Sequence, residues 1–185
     1  MLTTLNKILI ILLIITISFS CKNEKPKPSL TYIKQKYKEP LVKINKHLVK
    51  EDIDRINGYC RRRNWKMKLN KAGLFYDIYK KTNGDSVKTG DVVIIKYKLS
   101  LLNGKLCYTS DSLGAKSFKV GQGGVEKGLE IGILLMRKGE KARFIMAPFL
   151  AYGLIGDEKK IPPLSTIVYD IELIDILKQN TKTNE

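Results

Sequence analysis

The sequence predicts an α+β fold for the C-terminal half of the chain. Residues 167–173 alternate between apolar and polar side chains, which is typical of a strand with one solvated face. Residues 142–147 form a second apolar segment, and it stops at Pro148, which cannot donate to a strand ladder. Apolar side chains at residues 125–138 recur instead at helical spacing. Strands with one helix among them predict a helix packed on an antiparallel sheet.

Two more strands are predicted upstream of the helix. Residues 74–79 are apolar and aromatic, and an Asn-Gly turn signal follows them. Residues 92–100 alternate, with Tyr97 on the apolar face. The pair Asn103-Gly104 then predicts a hairpin with the two positive φ angles of a type I′ turn.

The glycine-rich segment 121–124 is interpreted as a turn into the helix. It lacks the Gly-Lys-Ser/Thr ending of a phosphate loop. Val125, Leu129 and Met136 fall on one helical face, and Gly139 suits a C-terminal cap. The simplest interpretation of Val125 and Leu129 is a core between helix and sheet.

The loop between the last two strands is the candidate functional site. It carries Tyr152 and the stiff pair Pro162-Pro163. Function concentrates on loops that a rigid scaffold holds in place, so this loop is predicted to form the rim of a binding site.

The first residues indicate export. Residues 1–20 combine a basic start with an apolar run at 8–19, shorter than the about 20 residues that a membrane-spanning helix needs. Ser20-Cys21 and the charged stretch after it resemble a bacterial lipoprotein signal, with Cys21 lipidated. An uncleaved membrane anchor, or secretion with loss of Cys21, is the alternative. Residues 21–38 are interpreted as a solvated tether.

A basic amphipathic helical segment is predicted at residues 39–69, beginning at Pro40, which is favourable at the first helical position. Its apolar stripe favours packing on the protein's own domain. A partner or dimerisation helix that leans on anionic lipid is the alternative. The arginines at 61–63 beside Trp65 would suit nucleic acid, but an export signal argues against that partner.

Composition narrows the chemistry. Among 185 residues, 34 Lys and Arg stand against 18 Asp and Glu, which favours anionic partners such as a membrane surface. His47, the one histidine, lies outside the C-terminal half, so neither a Ser-His-Asp enzyme nor a metal site is predicted, and no cofactor. Cys60 and Cys107 either pair outside the cytoplasm or remain two buried thiols.

Several short motifs, in the same order, resemble the FKBP-type peptidyl-prolyl cis-trans isomerases. They are Ala151-Tyr152-Gly153, Ile161-Pro162-Pro163, Thr166 and Val168-Tyr169-Asp170-Ile171-Glu172-Leu173. The resemblance covers residues 70–177 and implies an FKBP-like twisted antiparallel sheet of about five strands wrapped around the helix. Residues 39–69 would add an N-terminal helix, and residues 178–185 a disordered tail. With its signal, the chain is similar to the gliding-motility-associated FKBP-type lipoproteins of the Bacteroidota.

The resemblance also implies a site. Tyr97 and Tyr152 would be catalytic, with the Tyr152 hydroxyl donating to a carbonyl of the substrate. The implied substrate-binding residues are Tyr108, Phe118, Val125, Glu126, Leu129, Ile161 and Tyr169. Cys107 and Tyr108 depart from the family pattern, which has an aromatic and then an acidic residue at these positions.

The sequence therefore predicts one of two functions. The first is a peptidyl-prolyl cis-trans isomerase that rotates Xaa-Pro bonds of exported proteins at the bacterial cell envelope, tethered to the membrane through Cys21. Its apolar proline pocket would need no covalent chemistry. The second, favoured by the departure at Cys107 and Tyr108, is a non-catalytic FKBP-scaffold binding module in an envelope complex of the gliding or secretion machinery.

Overall fold

A computed structural model describes residues 30–178 of the chain. The predicted signal and Cys21, and residues 179–185 of the tail predicted at 178–185, lie outside the described residues. The chain divides into two compact units between Ile44 and Asn45, within helix α1 (Leu30–Arg62). No helix within residues 30–178 is long and apolar enough to cross a membrane.

Helix α1 begins earlier than the sequence predicted. The predicted start at Pro40 is wrong, because the helix already runs from Leu30, so residues 30–38 of the predicted tether are helical. Residues 34–39 consist mostly of Lys, Gln and Glu, which are good helix formers. Their propensity carries the helix through a proline that removes one backbone hydrogen bond.

Within residues 30–178, seven strands form one antiparallel sheet. They are β1 (Lys68–Leu69), β2 (Phe75–Lys80), β3 (Val92–Leu101), β4 (Leu106–Thr109), β5 (Lys116–Lys119), β6 (Lys141–Met146) and β7 (Ile167–Leu177). The order across the sheet is β1-β2-β6-β7-β3-β4, and β5 also pairs with β3. Strand β3 pairs with β7 from Val92 to Leu101, and with β5 and then β4 in succession. The α+β prediction is confirmed, with two strands more than the predicted five or so.

The helices between the strands are short. They are α2 (Ser110–Leu113), α3 (Lys127–Ile133) and a 3-10 turn (Pro148–Leu150). The helix predicted for residues 125–138 is thus α3 alone. It ends early because the backbone tightens: the N–H of Leu135 bonds to the carbonyl of Gly132, and that of Met136 to Ile133.

The hairpin between β3 and β4 forms, but its turn is not type I′. Only Gly104, with φ 88°, has a positive φ angle there. The N–H of Leu101 donates to the carbonyl of Lys105, and that of Gly104 donates to the carbonyl of Leu101. This pattern is a three-residue loop that ends in a left-handed glycine.

In the described part of the chain, two hydrophobic clusters lie on opposite faces of the sheet, because successive strand residues point to opposite sides. Phe144 and Tyr169 belong to the cluster under α3. Ile145 and Val168 belong to the other, with Ile56 of α1, which is fully buried. The part of α1 around Ile56 therefore packs on its own domain, as the apolar stripe predicted.

The two clusters also separate the cysteines. Cys60 belongs to the cluster that contains Ile56, whereas Cys107 belongs to the cluster under α3. Both are buried free thiols, so the alternative of two thiols is the one the structure adopts. Burial raises the pKa of both thiols, which leaves them protonated and unreactive near neutral pH.

Two glycines of α3 bring the helix directly onto the sheet. A Cβ at Gly132 would lie 2.5 Å from Cε2 of Phe144, and one at Gly128 would lie 2.7 Å from Sδ of Met146. Only glycine permits this approach. It places the N-terminus of α3, with Val125 and Glu126 before it, against the loop that follows β6.

Candidate functional site

The structure gathers the predicted site residues on one side of the sheet. Leu129, Ile161 and Tyr169 are buried in the cluster under α3. Partly buried residues that pack against the same cluster are Tyr97, Tyr108, Phe118, Val125 and Tyr152. Glu126, the ninth, reaches the group through hydrogen bonds from Tyr152 and Tyr169. Their catalytic and binding roles remain predictions.

Tyr152 stands on a loop that is tied to the scaffold at both ends. The 3-10 turn before it anchors the loop through Leu150, which is buried. The next residue, Gly153, has φ 64°, donates to the Pro148 carbonyl at 2.8 Å and accepts from the N–H of Leu164 at 3.0 Å. These two bonds close the loop and hold Tyr152 beside the N-terminus of α3.

Glu126 is the polar centre of the group. Its side chain is buried, and Oε1 accepts hydrogen bonds from the hydroxyl of Tyr152 and, at 2.9 Å, from that of Tyr169. Oε2 lies 3.8 Å from Nζ of Lys116, and within residues 30–178 it accepts no hydrogen bond. Burial, and then the neighbouring carboxylate, raise the pKa of Tyr152 and Tyr169, so both hydroxyls keep their protons.

Tyr97 lies beside Tyr169 and lines a separate open cavity of about 260 Å³. Its ring lies against that of Tyr169, with centroids 5.8 Å apart and planes tilted by 56°. Its backbone N–H donates to Oγ of Ser110 at 3.1 Å, which ties β3 to α2. Burial, and then the charge of Glu126, raise the pKa of Tyr97. The site thus presents aromatic faces with protonated hydroxyls.

Tyr108 and Asp157 form a pair that the sequence did not predict. The hydroxyl of Tyr108, on β4, donates to Oδ2 of Asp157, in the loop after Tyr152. Oδ1 of Asp157 accepts from the backbone N–H groups of Lys159, Lys160 and Ile161 at 3.0, 2.9 and 2.7 Å. The pair joins the loop to the sheet edge and fixes the backbone that carries Ile161.

The charges follow from those bonds. The hydrogen bond to Asp157 raises the pKa of Tyr108 to about 12. Burial acts to raise the pKa of Asp157, but the hydroxyl and the three N–H donors outweigh it and lower that pKa below its usual value. Near neutral pH the pair is therefore a neutral hydroxyl on a carboxylate.

Cys107, which stands where the family pattern has an aromatic residue, does not line the cavity beside Tyr152. It is buried under the sheet, with Sγ 3.6 Å from the carbonyl oxygen of Lys160. Phe118, which lies opposite Val93 on β5, is half-buried and contributes an aromatic side chain to the same cluster. The side of the site next to Cys107 is thus closed by backbone of the Tyr152 loop.

An open cavity of about 320 Å³ adjoins Glu126 and Tyr152. Its lining is Lys116, Gly124, Val125, Glu126, Ala151 and Tyr152. Within residues 30–178 no group of three His, Cys, Asp or Glu side chains is placed to hold a metal ion. The site can therefore bind a ligand through apolar contacts and hydrogen bonds, and it contains one buried carboxylate.

Comparison with known proteins agrees with this fold. The family model for FKBP-type peptidyl-prolyl cis-trans isomerase matches residues 84–174. The crystal structure of FkpA from Escherichia coli has a TM-score of 0.58 at 30% identity, covering 83% of this chain and 76% of that one. The crystal structure of AtFKBP13 has the same TM-score and identity, and covers 60% and 98%. The chain belongs to the FKBP-type peptidyl-prolyl cis-trans isomerase family.

Curated relatives are longer than the shared domain. A probable FKBP-type isomerase of Haemophilus influenzae is 37% identical over 63% of this chain and 48% of its own length. FkpA of Escherichia coli K12 is 36% identical over 60% and 40%. The inactive peptidyl-prolyl cis-trans isomerase FKBP6 of Mus musculus is 37% identical over 57% and 33%. The chain thus matches half or less of the length of each.

Sequence reasoning missed Asp157 and Lys116 as members of the site. Asp157 is paired with a residue 49 positions away, and Lys116 lies ten positions before Glu126 on another element. The one available signal was the resemblance, which placed Tyr108 where the family has a carboxylate. In the structure the carboxylate next to Tyr108 is that of Asp157, which accepts a hydrogen bond from the Tyr108 hydroxyl.

Proposed function

We propose that this protein is a peptidyl-prolyl cis-trans isomerase that rotates Xaa-Pro bonds of exported proteins at the bacterial cell envelope. The observation that carries the proposal is the placement of Tyr152 beside an apolar group formed by Leu129, Ile161 and Tyr169. That placement occurs within a domain of the FKBP-type family. A proline ring is apolar and has no N–H to satisfy, so it suits the partly buried side chains of Val125 and Tyr152, which line the open cavity over that group.

Rotation about an Xaa-Pro bond needs no nucleophile, metal or cofactor. The barrier of about 18–20 kcal/mol comes from amide resonance, which is lost when the bond twists. Holding the ring against apolar side chains moves the carbonyl out of water, and a donor aimed at its oxygen stabilises the twisted amide. Tyr97 and Tyr152 supply protonated hydroxyls next to that surface.

The proposed location rests on the first residues of the chain. A lipid on Cys21 would hold the domain at a membrane, and the excess of 34 Lys and Arg over 18 Asp and Glu favours an anionic surface. Incorporation of labelled palmitate into the wild type but not into Cys21→Ser supports the anchor. Equal labelling of both proteins would contradict it.

A non-catalytic binding module in an envelope complex is the second candidate. It is favoured by Cys107 and Tyr108, since the aromatic and acidic residues of the family pattern are both replaced. Such a module would bind a proline-containing segment without accelerating its rotation. Envelope proteins of the gliding or secretion machinery are its proposed partners.

Refolding of a client protein separates the two candidates. The client is a secreted protein whose slow refolding phase is limited by prolyl isomerisation. It is refolded in mild detergent, with the full chain added in catalytic or in stoichiometric amounts. If the protein is an isomerase, it accelerates the slow phase at a molar ratio of about one to a hundred relative to the client, and Tyr152→Phe weakens the acceleration. Binding without acceleration, retained in Tyr152→Phe, supports the binding module instead.

A further inference from the structure

Glu126 holds the hydroxyl that the proposed isomerase needs. A tyrosine hydroxyl carries one proton and can donate one hydrogen bond at a time. In the structure Tyr152 donates that bond to Oε1 of Glu126. While this bond exists, the hydroxyl cannot donate to a carbonyl of the substrate.

The substrate carbonyl is the weaker competitor. A hydrogen bond to a carboxylate is roughly twice as strong as one between neutral groups. Glu126 is only 8% exposed, so water does little to weaken its hold on the hydroxyl. The bound peptide must therefore offset the loss of a charge-assisted bond before its carbonyl gains the hydroxyl.

The position of Glu126 is fixed from several sides. Its backbone carbonyl accepts from the N–H groups of Leu129 at 2.9 Å and of Glu130 at 3.1 Å, at the start of α3. Its Oε1 also accepts from Tyr169, which is 1% exposed. These bonds hold the carboxylate against Tyr152.

We propose that Glu126 is a positioning residue that withholds the Tyr152 hydroxyl from the substrate and thereby limits turnover. The inference rests on the proposed function, because it assumes an Xaa-Pro substrate at this site. It assigns to Glu126 a role opposite to that of a residue which assists the reaction. Removing the carboxylate makes the enzyme faster, and it does so only through Tyr152.

The test measures kcat/KM of the full chain, in mild detergent, on a short Xaa-Pro peptide. Glu126→Leu removes the acceptor and keeps a side chain of similar size. Because it orphans the buried hydroxyl of Tyr169, a second variant combines Glu126→Leu with Tyr169→Phe. Glu158→Gln is the control, since it removes an exposed carboxylate from the loop that carries Tyr152. Each variant is made with and without Tyr152→Phe.

The expected result is a rise in kcat/KM of about tenfold for both Glu126→Leu variants, which corresponds to about 1.4 kcal/mol. The rise disappears when Tyr152→Phe is present, and Glu158→Gln stays at the wild-type value. A carboxylate that merely supports the fold would give a fall instead. Thermal unfolding confirms that each variant is folded.

The other outcomes separate this inference from the proposed function. An active wild type whose Glu126→Leu variants are unchanged or slower overturns the inference alone. So does a rise that persists with Tyr152→Phe. A silent wild type with active Glu126→Leu variants supports the inference and rules out activity of the natural chain. Silence of all the folded proteins overturns both.

Discussion

Tyr108 and Asp157 join β4 to the loop that carries Tyr152, across 49 positions of sequence. The family pattern has a carboxylate at the position of Tyr108, whereas here the carboxylate comes from the facing loop. Asp157 also accepts from the backbone N–H of Ile161 at 2.7 Å, so one side chain orients the loop and anchors it. The pair therefore couples the sheet edge to the proposed proline pocket.

The first prediction is that Tyr108 and Asp157 are energetically coupled. In a double-mutant cycle, Tyr108→Phe and Asp157→Asn together cost less than the sum of the two single changes. The coupling is about 1 kcal/mol, because the bond is charge-assisted but partly solvated. Urea unfolding of the four proteins measures it, and additive costs would show that the two side chains do not interact in solution.

A second prediction concerns acid. The pKa of Asp157 is lowered in the folded protein, so its pairing stabilises the fold above the unfolded value of 3.8 and is lost as the pH falls through the folded value. The difference in unfolding free energy between wild type and Asp157→Asn is thus constant from pH 7 to 5 and shrinks below pH 4. A difference that stays constant down to pH 2 would contradict the lowered pKa.

A third prediction tests the approach of α3 to the sheet. Gly132→Ala forces a Cβ to 2.5 Å from the ring of Phe144, and such overpacking destabilises the fold by about 1–3 kcal/mol. Gly58→Ala is the matched control in α1, since its Cβ meets only the flexible ends of Arg62, at 3.4 Å, and Arg61, at 4.0 Å. There alanine gains about 1 kcal/mol of helix propensity. Equal effects in thermal unfolding would refute the close contact.

Helix α1 gives a fourth prediction. Ile56 is fully buried against the face of the sheet that lies away from α3, so Ile56→Ala costs about 2–5 kcal/mol. Leu48, on the same helix, is 42% exposed, and Leu48→Ala changes the unfolding free energy by about 0.5 kcal/mol or less. Urea unfolding compares the two. A small effect at Ile56 would mean that α1 does not pack on the domain.

Much of the fold could be predicted because strands and helices give local periodic patterns of apolar side chains. Alternation placed β7 and β3, and the apolar stripe of α1 indicated that the helix packs on its own domain. The start of α1 was missed because propensity on both sides outweighed the cost of Pro40. The turn at Gly104 was assigned the wrong type, since an Asn-Gly pair suits more than one hairpin loop.

The site was predictable in its apolar part and less so in its polar part. Leu129, Ile161 and Tyr169 could be placed from motifs, because such motifs preserve core positions. The partners of Glu126 and Asp157 could not, since these bonds join residues that are distant in sequence and follow no period. The hydrogen-bond partners of these carboxylates can therefore be identified only in the folded structure.

The most direct test of the account is the cis-to-trans rate of a short Xaa-Pro peptide with the full chain, in mild detergent, beside Tyr152→Phe. An isomerase gives a rate well above that of the peptide alone, whose uncatalysed isomerisation takes tens to hundreds of seconds. In the variant we expect a several-fold loss, of about five- to tenfold, because one hydrogen-bond donor is removed. A folded protein that leaves the uncatalysed rate unchanged would contradict the isomerase assignment.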